Sequence, residues 1–475
     1  MCVECRPLGG RGVAWRLVCC VMSVLLASWG PAWADNVTVN CPGESINAAL
    51  ATLDKEVPNG VSISGNCTEA VVVDGFMDLQ IAGSAVLHRP VATEGPGASA
   101  LVVRGSKNVH VTGLNFEGFK PDDYPRPVVL IERSNVTIVD CTIHGNVSAG
   151  LDIQDHSDVQ VAGTTVADNG TGIAAGSSAH VQISNWWPDL STIENNDHGI
   201  AATRGALVEV GLATIQNNRQ QGVGATNGAV VNLGAWGWGE LIITGNGSDS
   251  PNGAAVGASD GGIIWIIQPT TIEGNHGSGA AATLGGELYV CCGATPEDTR
   301  ITGNTGFGID VWMDSGLFFW GPALVEGNLK AGVEVISAEA FLAGGVLIQG
   351  NGDSSDPDSW GGLRVGDNAS VNSAATVIDN YGPGVFISTG ATVFFSTGTV
   401  ITGNQGYGVE LEGAATAMFT GGATATGNRG FDLVCSSGSV AGAAKGMHPV
   451  IGRQKCQTWT QFRGYPTWLE DLLEP

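Results

Sequence analysis

Three side chains that can move protons in enzymes lie in similar short segments of the sequence. Asp158 begins the segment DVQV, His180 begins HVQI, and Glu209 lies in VEV. A carboxylate beside an imidazole can act as a general acid and base. If the similar segments are neighbouring strands in register, Asp158, His180 and Glu209 form a candidate catalytic cluster. The alternative interpretation is a solvated turn with incidental charges.

A second set of charged residues follows a glycine–aliphatic pattern. It contains Asp310, Glu334 and Arg364, with Glu410 and Asp432 further along the chain. Like charges on adjacent strands repel each other, so Asp310 and Glu334 would attract a cation or the guanidinium of Arg364. The sequence leaves open a metal site and a ladder of salt bridges between strands.

An aspartate-rich loop is the other candidate for metal binding. Asp353, Asp356 and Asp358 carry the oxygen ligands that calcium prefers, although their spacing does not fit an EF-hand loop. Calcium is therefore the possible cofactor, and a hydrated hairpin is the alternative. This loop and the one at 246–253 both follow an asparagine, so the two could border one surface.

A repeated motif indicates which structural elements position these residues. The motif is an aliphatic residue followed by two others and then asparagine. Its copies end 22–29 residues apart, at Asn146, Asn169, Asn196, Asn218, Asn246, Asn275, Asn304, Asn328, Asn351, Asn380, Asn404 and Asn428. A motif repeated at this period is typical of a solenoid. If these asparagines stack at one turn, each side-chain amide can hydrogen-bond to the coil above. A buried amide needs such a hydrogen-bond partner.

Each repeat contains three short alternating segments, which predict three strands joined by turns and stacked coil upon coil. The sequence predicts an all-β solenoid of about thirteen coils over 101–434. Residues 35–100 would hold the first strands and a helical cap at 44–54, where Ile46, Leu50 and Leu53 form one apolar stripe. Residues 435–475 lack the repeat and are expected to form an irregular cap.

Residues 1–34 resemble a secretory signal, with three arginines, an apolar stretch and the small–x–small sequence Ala32-Trp33-Ala34. Removing this segment would change the formal net charge from −25 to −27, because it contains three arginines and one glutamate. Such a charge disfavours nucleic acid and anionic membranes as partners. We expect a secreted or cell-surface protein, extracellular or periplasmic, with no membrane span after cleavage.

Seven cysteines would remain after cleavage. In an oxidising compartment, Cys41–Cys67 and Cys435–Cys456 are plausible bridges that each fasten one end of the stack. Cys141 follows a strand and is expected in the core. The sequence does not settle the connectivity.

These features resemble secreted bacterial right-handed parallel β-helix repeat proteins of the pectate-lyase-like superfamily. The segments that carry the resemblance are Val39–Leu50, Gly65–Thr68 and the asparagine coils. The superfamily includes polysaccharide lyases, hydrolases, epimerases and proteins without known activity. The aspartate series of the hydrolases and the Asp-Pro-His motif of alginate epimerases are absent from this sequence.

The resemblance implies sugar binding along the strand that precedes the asparagine strand. Alternation assigns its outward residues as His110, Thr137, Gln160, Gln182, Glu209, Asn232, Trp265, Tyr289, Phe319 and Leu342. Polar groups followed by exposed rings suit an extended sugar chain, although a slip of one residue would place those rings in the core. Gln160, Gln182, Asn232, Trp265, Tyr289 and Phe319 are therefore the candidate substrate-binding residues.

Three functions remain open from the sequence. The first is binding or modification of an extracellular polysaccharide along that strand face. The second is a non-catalytic cell-surface or adhesive scaffold, because a fold does not define an activity. The third is a polysaccharide lyase or epimerase that uses Asp158, His180 and Glu209.

Overall fold

The computed structural model describes residues 35–88, 90, 99–118, 126–183, 190–234, 239–250, 253–267, 269–356, 360–444, 447–456 and 459–462. Their chain winds into a solenoid of short parallel strands that form three long sheets. Each coil contributes one strand to each sheet, and the strands of successive coils pair in register. The predicted signal segment, 1–34, lies outside the described residues.

Sheet 1 contains the strands that precede the asparagine strands. They are Asp35–Asn40, Asn59–Ser64, Leu79–Gly83, Val109–Thr112, Asn135–Val139, Asp158–Ala162, His180–Ile183, Leu207–Val210, Val230–Leu233, Ile263–Ile267, Glu287–Cys291, Gly316–Phe319, Glu339–Leu342, Ser370–Ser373, Thr392–Phe395, Thr416–Phe419, Val440–Ala444 and Trp459–Phe462.

Sheet 2 contains the short strands that lead into the asparagine turn. They are Asn66–Cys67, Val86–His88, Asn115–Glu117, Thr142–His144, Thr165–Ala167, Ser191–Glu194, Ala213–Gln216, Leu241–Thr244, Thr270–Glu273, Thr299–Thr302, Ala323–Glu326, Val346–Gln349, Thr376–Ile378, Val400–Thr402, Thr424–Ala425 and Val450–Ile451.

Sheet 3 contains the strands that follow the asparagine turn. They are Val71–Asp74, Leu101–Arg104, Val129–Glu132, Ala149–Gln154, Thr171–Ala175, His198–Ala202, Gln221–Ala225, Ala254–Ser259, Ser278–Thr283, Ile309–Trp312, Val333–Ile336, Leu363–Gly366, Val385–Ile387, Val409–Leu411, Leu433–Cys435 and Gln454–Lys455.

The described residues make about sixteen coils, since two of the sheets have 16 strands each. The expected number of thirteen is too low because coils before Asn146 and after Asn428 lack the asparagine that marks a repeat. Strand pairing also continues past residue 434, where Trp459–Phe462 pairs with Val440–Ala444. The described strands of 435–475 extend the solenoid, and the C-terminal cap expected there stays a prediction.

The asparagine ladder is present and unbroken from Asn146 to Asn428. In most coils the backbone N–H and the side-chain Nδ2 of one asparagine both donate to Oδ1 of the next, as Asn304 does to Asn328 at 3.0 and 2.9 Å. Nδ2 also donates to the carbonyl of the aliphatic residue in the preceding coil, for example Ile272. The ladder asparagines are buried, so these bonds satisfy groups that water does not reach.

The ladder ends on a carboxylate. Oδ1 of Asp432 accepts from the N–H and Nδ2 of Asn428, and Oδ2 accepts from the N–H of Arg453. Burial raises the pKa of Asp432, but these hydrogen bonds outweigh it and hold the pKa below its ordinary value. The sequence placed Asp432 further along the column of charged residues that contains Asp310 and Glu334. That is wrong, because Asp432 is buried at the end of the ladder.

Serine hydroxyls form a second, shorter ladder in the early coils. The N–H groups of Phe76, Ser106 and Ser134 donate to the hydroxyls of Ser106, Ser134 and Ser157. All three serines are buried at the turn between sheets 3 and 1. They join the coils that precede Asn146, and their last step, from Ser134 to Ser157, joins the same two coils as the first step of the asparagine ladder.

The interior is filled by the inward residues of all three sheets in one continuous core. At one end, the helix Ile46–Leu50 covers the first coil with Ile46 and Leu50 buried, and Ser45 caps its first turn. The predicted cap is therefore present, although the helix is shorter than 44–54. A 3₁₀ turn, Pro296–Asp298, lies between two strands later in the chain.

Both predicted disulfides are present, Cys41–Cys67 and Cys435–Cys456, one near each end of the described solenoid. A third bridge joins the neighbours Cys291 and Cys292 and was not anticipated. Cys141 is buried and free as expected, and burial raises the pKa of its thiol to about 11.

Replacing Asp432 by alanine should lower the free energy of unfolding by about 3 kcal/mol, because three buried N–H donors would lose their acceptor. Urea unfolding at neutral pH measures the change. Asp249→Ala removes an exposed carboxylate and is the matched control, with an expected change within about 0.5 kcal/mol. Equal effects of the two substitutions would contradict the terminal role of Asp432.

Candidate functional site

The outer face of sheet 1 carries one continuous column of side chains. Strand pairing brings His110, Thr137, Gln160, Gln182, Glu209, Asn232, Trp265 and Tyr289 onto successive coils in the expected order. All eight are partly or fully exposed. These eight residues of the predicted polar and aromatic stripe therefore form one column on the surface of sheet 1.

The last two assignments in that column are wrong. Phe319 and Leu342 are fully buried, and Tyr289 pairs with Phe318, which in turn pairs with Phe341. The strand Gly316–Phe319 reads GLFF, so alternation does not show which phenylalanine points inward. Phe318 and Phe341 replace Phe319 and Leu342 on the outer face.

The polar part of the column contains a chain of contacts centred on His180. Its Nδ1 lies 3.2 Å from Oδ1 of Asp158, and its Nε2 lies 3.2 Å from Oε2 of Glu209. The same glutamate oxygen accepts a hydrogen bond from Nε2 of Gln182 at 2.9 Å. The structure thus brings Asp158, His180 and Glu209 together as the sequence predicted.

This geometry limits what His180 can do. Both ring nitrogens face carboxylates, so neither is directed towards a ligand. The side chains of Asp158 and His180 are 50% and 35% exposed, which places their contact in a solvent-screened setting. The arrangement suits a ladder that joins neighbouring coils better than a base that must accept a proton from a substrate.

The aromatic part of the column is a stack of rings. Trp265 and Tyr289 lie with centroids 4.3 Å apart and planes inclined by 12°, and Tyr289 and Phe318 are 5.0 Å apart at 16°. Burial and a hydrogen bond to Glu287 raise the pKa of Tyr289 to about 12, so the phenol stays protonated and donates. The rings bury their flat faces against one another, and only the ends of the stack can receive a ligand face to face.

A fourth ring forms a side wall of this stack. Trp320 meets Trp265 and Tyr289 edge-on, at angles of 69° and 64°, and is itself 56% exposed. Beyond the Phe318 end of the stack lies a groove of about 580 Å³. Its lining includes Phe318, Trp320, Phe341, Glu339, Ser370 and Asn372. An adjoining depression of about 350 Å³ shares Phe318, Glu339 and Ser370 with it.

The charged column on sheet 3 is also present in part. Asp310 pairs with Glu334, and Glu334 pairs with Arg364 and forms a salt bridge with it. Burial, and after it the neighbouring Glu334 carboxylate, raise the pKa of Asp310 to about 7. Glu410 is separated from Arg364 by Phe386 and does not extend the charged cluster directly.

The calcium candidates do not converge on one point among the described residues. Oδ1 of Asp353 accepts from the N–H and hydroxyl of Ser355, as in a hydrogen-bonded turn. Asp356 is exposed, and Asp358 lies outside the described residues. Within the part of the chain that the structure describes, no group of three acidic, histidine or cysteine residues could hold a metal ion.

The two inserted loops border sheet 3. The described end of the first, at Gly253, lines a cleft on that face, and Trp360 at the end of the second packs against Arg364 with the guanidinium 3.7 Å from the ring centroid. The sequence predicted that the loops could share a surface but did not identify which one. The sequence did contain a signal for this surface. Both loops follow a ladder asparagine, and the strands of sheet 3 begin after that turn.

The three parallel sheets and the asparagine ladder define a right-handed parallel β-helix repeat protein. A family model described as "Right handed beta helix region" matches residues 59–219. A comparison with curated proteins finds no match to the sequence. Among the described residues, no helix is long and apolar enough to cross a membrane.

The raised pKa of Asp310 predicts a defined effect of pH on stability. A carboxyl that titrates near 7 when folded, against an ordinary value of 3.8, binds more protons in the folded state between those values. Its contribution to stability is therefore complete below the ordinary pKa and is lost as pH rises to about 7. Asp310→Asn, which stays neutral, should unfold at a higher temperature than the wild type at about pH 8 and at a similar temperature at about pH 4. A pH-independent difference, measured by circular dichroism, would contradict this assignment.

Proposed function

We propose that this protein binds a neutral extracellular polysaccharide on the outer face of sheet 1, at the groove beside the aromatic stack. The β-helix fold supports a carbohydrate-related or scaffold role in general terms. The observation that carries the narrower proposal is the groove of about 580 Å³ that opens at the Phe318 end of the stack.

The groove combines the two kinds of group that sugar binding uses. Phe318, Trp320 and Phe341 supply apolar ring surface for the C–H face of a pyranose. Glu339 and Asn372 supply hydrogen-bonding groups beside it. Gln160, Gln182 and Asn232 lie on earlier coils of the same column and would extend the contact along the sugar chain.

Charge favours a neutral sugar over an acidic one. The chain has a formal net charge of −25, and Glu287 and Glu339 line the depression next to the groove. An alginate or pectate chain would be repelled unless a divalent cation lay between the two. Calcium would therefore assist only an acidic ligand, and the neutral ligand needs no cofactor.

The same proposal includes an extracellular location for the protein. The three disulfides are compatible with an oxidising compartment, where such bridges persist. Export through the segment 1–34 would bring the protein to extracellular polysaccharide.

The binding test uses isothermal titration of the mature protein, 35–475, with cellohexaose, mannohexaose, xylohexaose and maltohexaose. We expect at least one of these to bind, and the double variant Trp320→Ala/Phe341→Ala to lose about tenfold or more in affinity because two ring surfaces are removed. Tyr381→Ala removes an exposed ring at the asparagine turn and is the matched control, with no loss expected.

Two results would decide against this proposal. If none of the four neutral sugars binds, the scaffold function stands in its place. If only alginate or pectate binds, and only with calcium, the ligand is acidic and the charge argument is wrong.

A lyase or epimerase activity is the second candidate function. The observation in its favour is the contact of His180 with both Asp158 and Glu209, each at 3.2 Å. The same contacts occupy both ring nitrogens, which is why we place binding first. For catalysis to occur, a substrate would have to displace one carboxylate from the imidazole.

An assay for unsaturated uronate and for new reducing ends tests this candidate on alginate, pectate and the four neutral sugars. We expect no product from the wild type, since neither nitrogen of His180 is available. If product forms, and His180→Ala lowers its rate by about 100-fold while His110→Ala does not, the second candidate replaces the first. His110 is an exposed histidine on the same sheet, two pairings before Gln160.

A further inference from the structure

A second cleft lies on the outer face of sheet 3, away from the groove on sheet 1. Its volume is about 250 Å³. The floor is low because small residues occupy the outward position on successive coils, namely Ala174, Ala201, Gly224, Gly257 and Ala281. The cleft itself covers Gly257 and Ala281, and the next residue of the column, Asp310, closes one end.

The sides of the cleft are polar, with one exposed ring. Thr226, Ser259 and Thr283 present hydroxyl groups, and Trp312, which is 40% exposed, stands beside Asp310 on the same strand. The chain returning from the inserted loop adds Gly253 to the rim. A ligand in this space would meet hydroxyls, an indole and a carboxyl together.

The amide of Gln221 also lines the cleft, and its position depends on glycine. A Cβ atom at Gly257 would lie 2.2 Å from Nε2 of Gln221, and one at Gly224 would lie 2.7 Å from its Oε1. The amide therefore rests on two bare stretches of backbone. Larger residues at these positions would push it out of the cleft.

The closed end of the cleft is held in place by a balanced cluster of charges. Glu334 pairs with Arg364, whose guanidinium lies over the ring of Trp360, and Lys330 and Arg364 both act on the Asp310 carboxyl. Lys330 and Arg364 at least offset the charges of Asp310 and Glu334, so the cluster has no excess negative charge that would recruit a cation. Asp310 is thus a fixed hydrogen-bonding group suited to an uncharged ligand.

We propose that this cleft is a second binding site for one pyranose unit of a neutral glycan, with Trp312 as the stacking ring and Asp310, Gln221 and Thr283 as hydrogen-bonding partners. The inference rests on the proposed function, because it assigns the same ligand class to a different face. An exposed indole beside several polar groups in a shallow cleft is the combination that sugar rings require. One molecule would then hold two glycan chains, one on each sheet.

The test counts binding sites by isothermal titration with the neutral hexasaccharide that binds the wild type best. We expect two sites per wild-type chain, and one site in Ala281→Leu, which fills the cleft. Trp312→Ala should weaken the same site by about tenfold. Ala201→Leu is the matched control, because Ala201 lies on the same column three coils before Ala281 and outside the cleft.

The outcomes separate this inference from the proposed function. If Ala281→Leu and Trp312→Ala bind with the wild-type stoichiometry and affinity, the cleft is not a glycan site, and the groove on sheet 1 is unaffected. If Trp320→Ala/Phe341→Ala retains full binding and Ala281→Leu abolishes it, the cleft is the glycan site and the groove is not. Far-ultraviolet circular dichroism and unfolding temperature confirm that each variant is folded.

Discussion

The side-chain amide bonds between successive asparagines are the interaction on which the rest of this structure depends. Each side-chain amide donates from Nδ2 both to Oδ1 of the next asparagine and to a backbone carbonyl of the previous coil. Because these groups are buried, a coil that slipped by one residue would leave several of them unsatisfied. The ladder therefore fixes the register of all three sheets at the same time, and Asp432 ends it with an acceptor that needs no further asparagine.

A fixed register turns each outward position of the repeat into a line of side chains about 4.8 Å apart. The chemistry of a face then follows from which residues occupy that line. On sheet 1, His180 contacts Asp158 on its own line and Glu209 on the neighbouring line, and the rings from Trp265 to Phe318 stack on one another. In both cases neighbouring side chains satisfy each other, so the places left for a ligand are where a line ends or changes.

This principle explains where the two clefts lie. The groove on sheet 1 begins where the aromatic stack ends at Phe318, and the cleft on sheet 3 lies where the line of small residues reaches Asp310. The inserted loops reinforce the second of these positions through Gly253 and Trp360. Both proposed binding sites thus lie where an otherwise regular line of side chains is interrupted.

The sequence by itself determined the repeat and the asparagine ladder, because each depends on a short pattern read along the chain. It gave the two terminal disulfides and the cluster around His180 only as candidates, and the structure decided between these and their alternatives. Only the tertiary structure decided that Phe318 rather than Phe319 faces outward, since neighbouring strands set the register where four apolar residues adjoin. It also decided that Asp432 ends the ladder, because the chain folds so that this carboxylate meets Asn428 four residues earlier. The burial of the stacked ring faces depends on distances between coils that no single repeat contains.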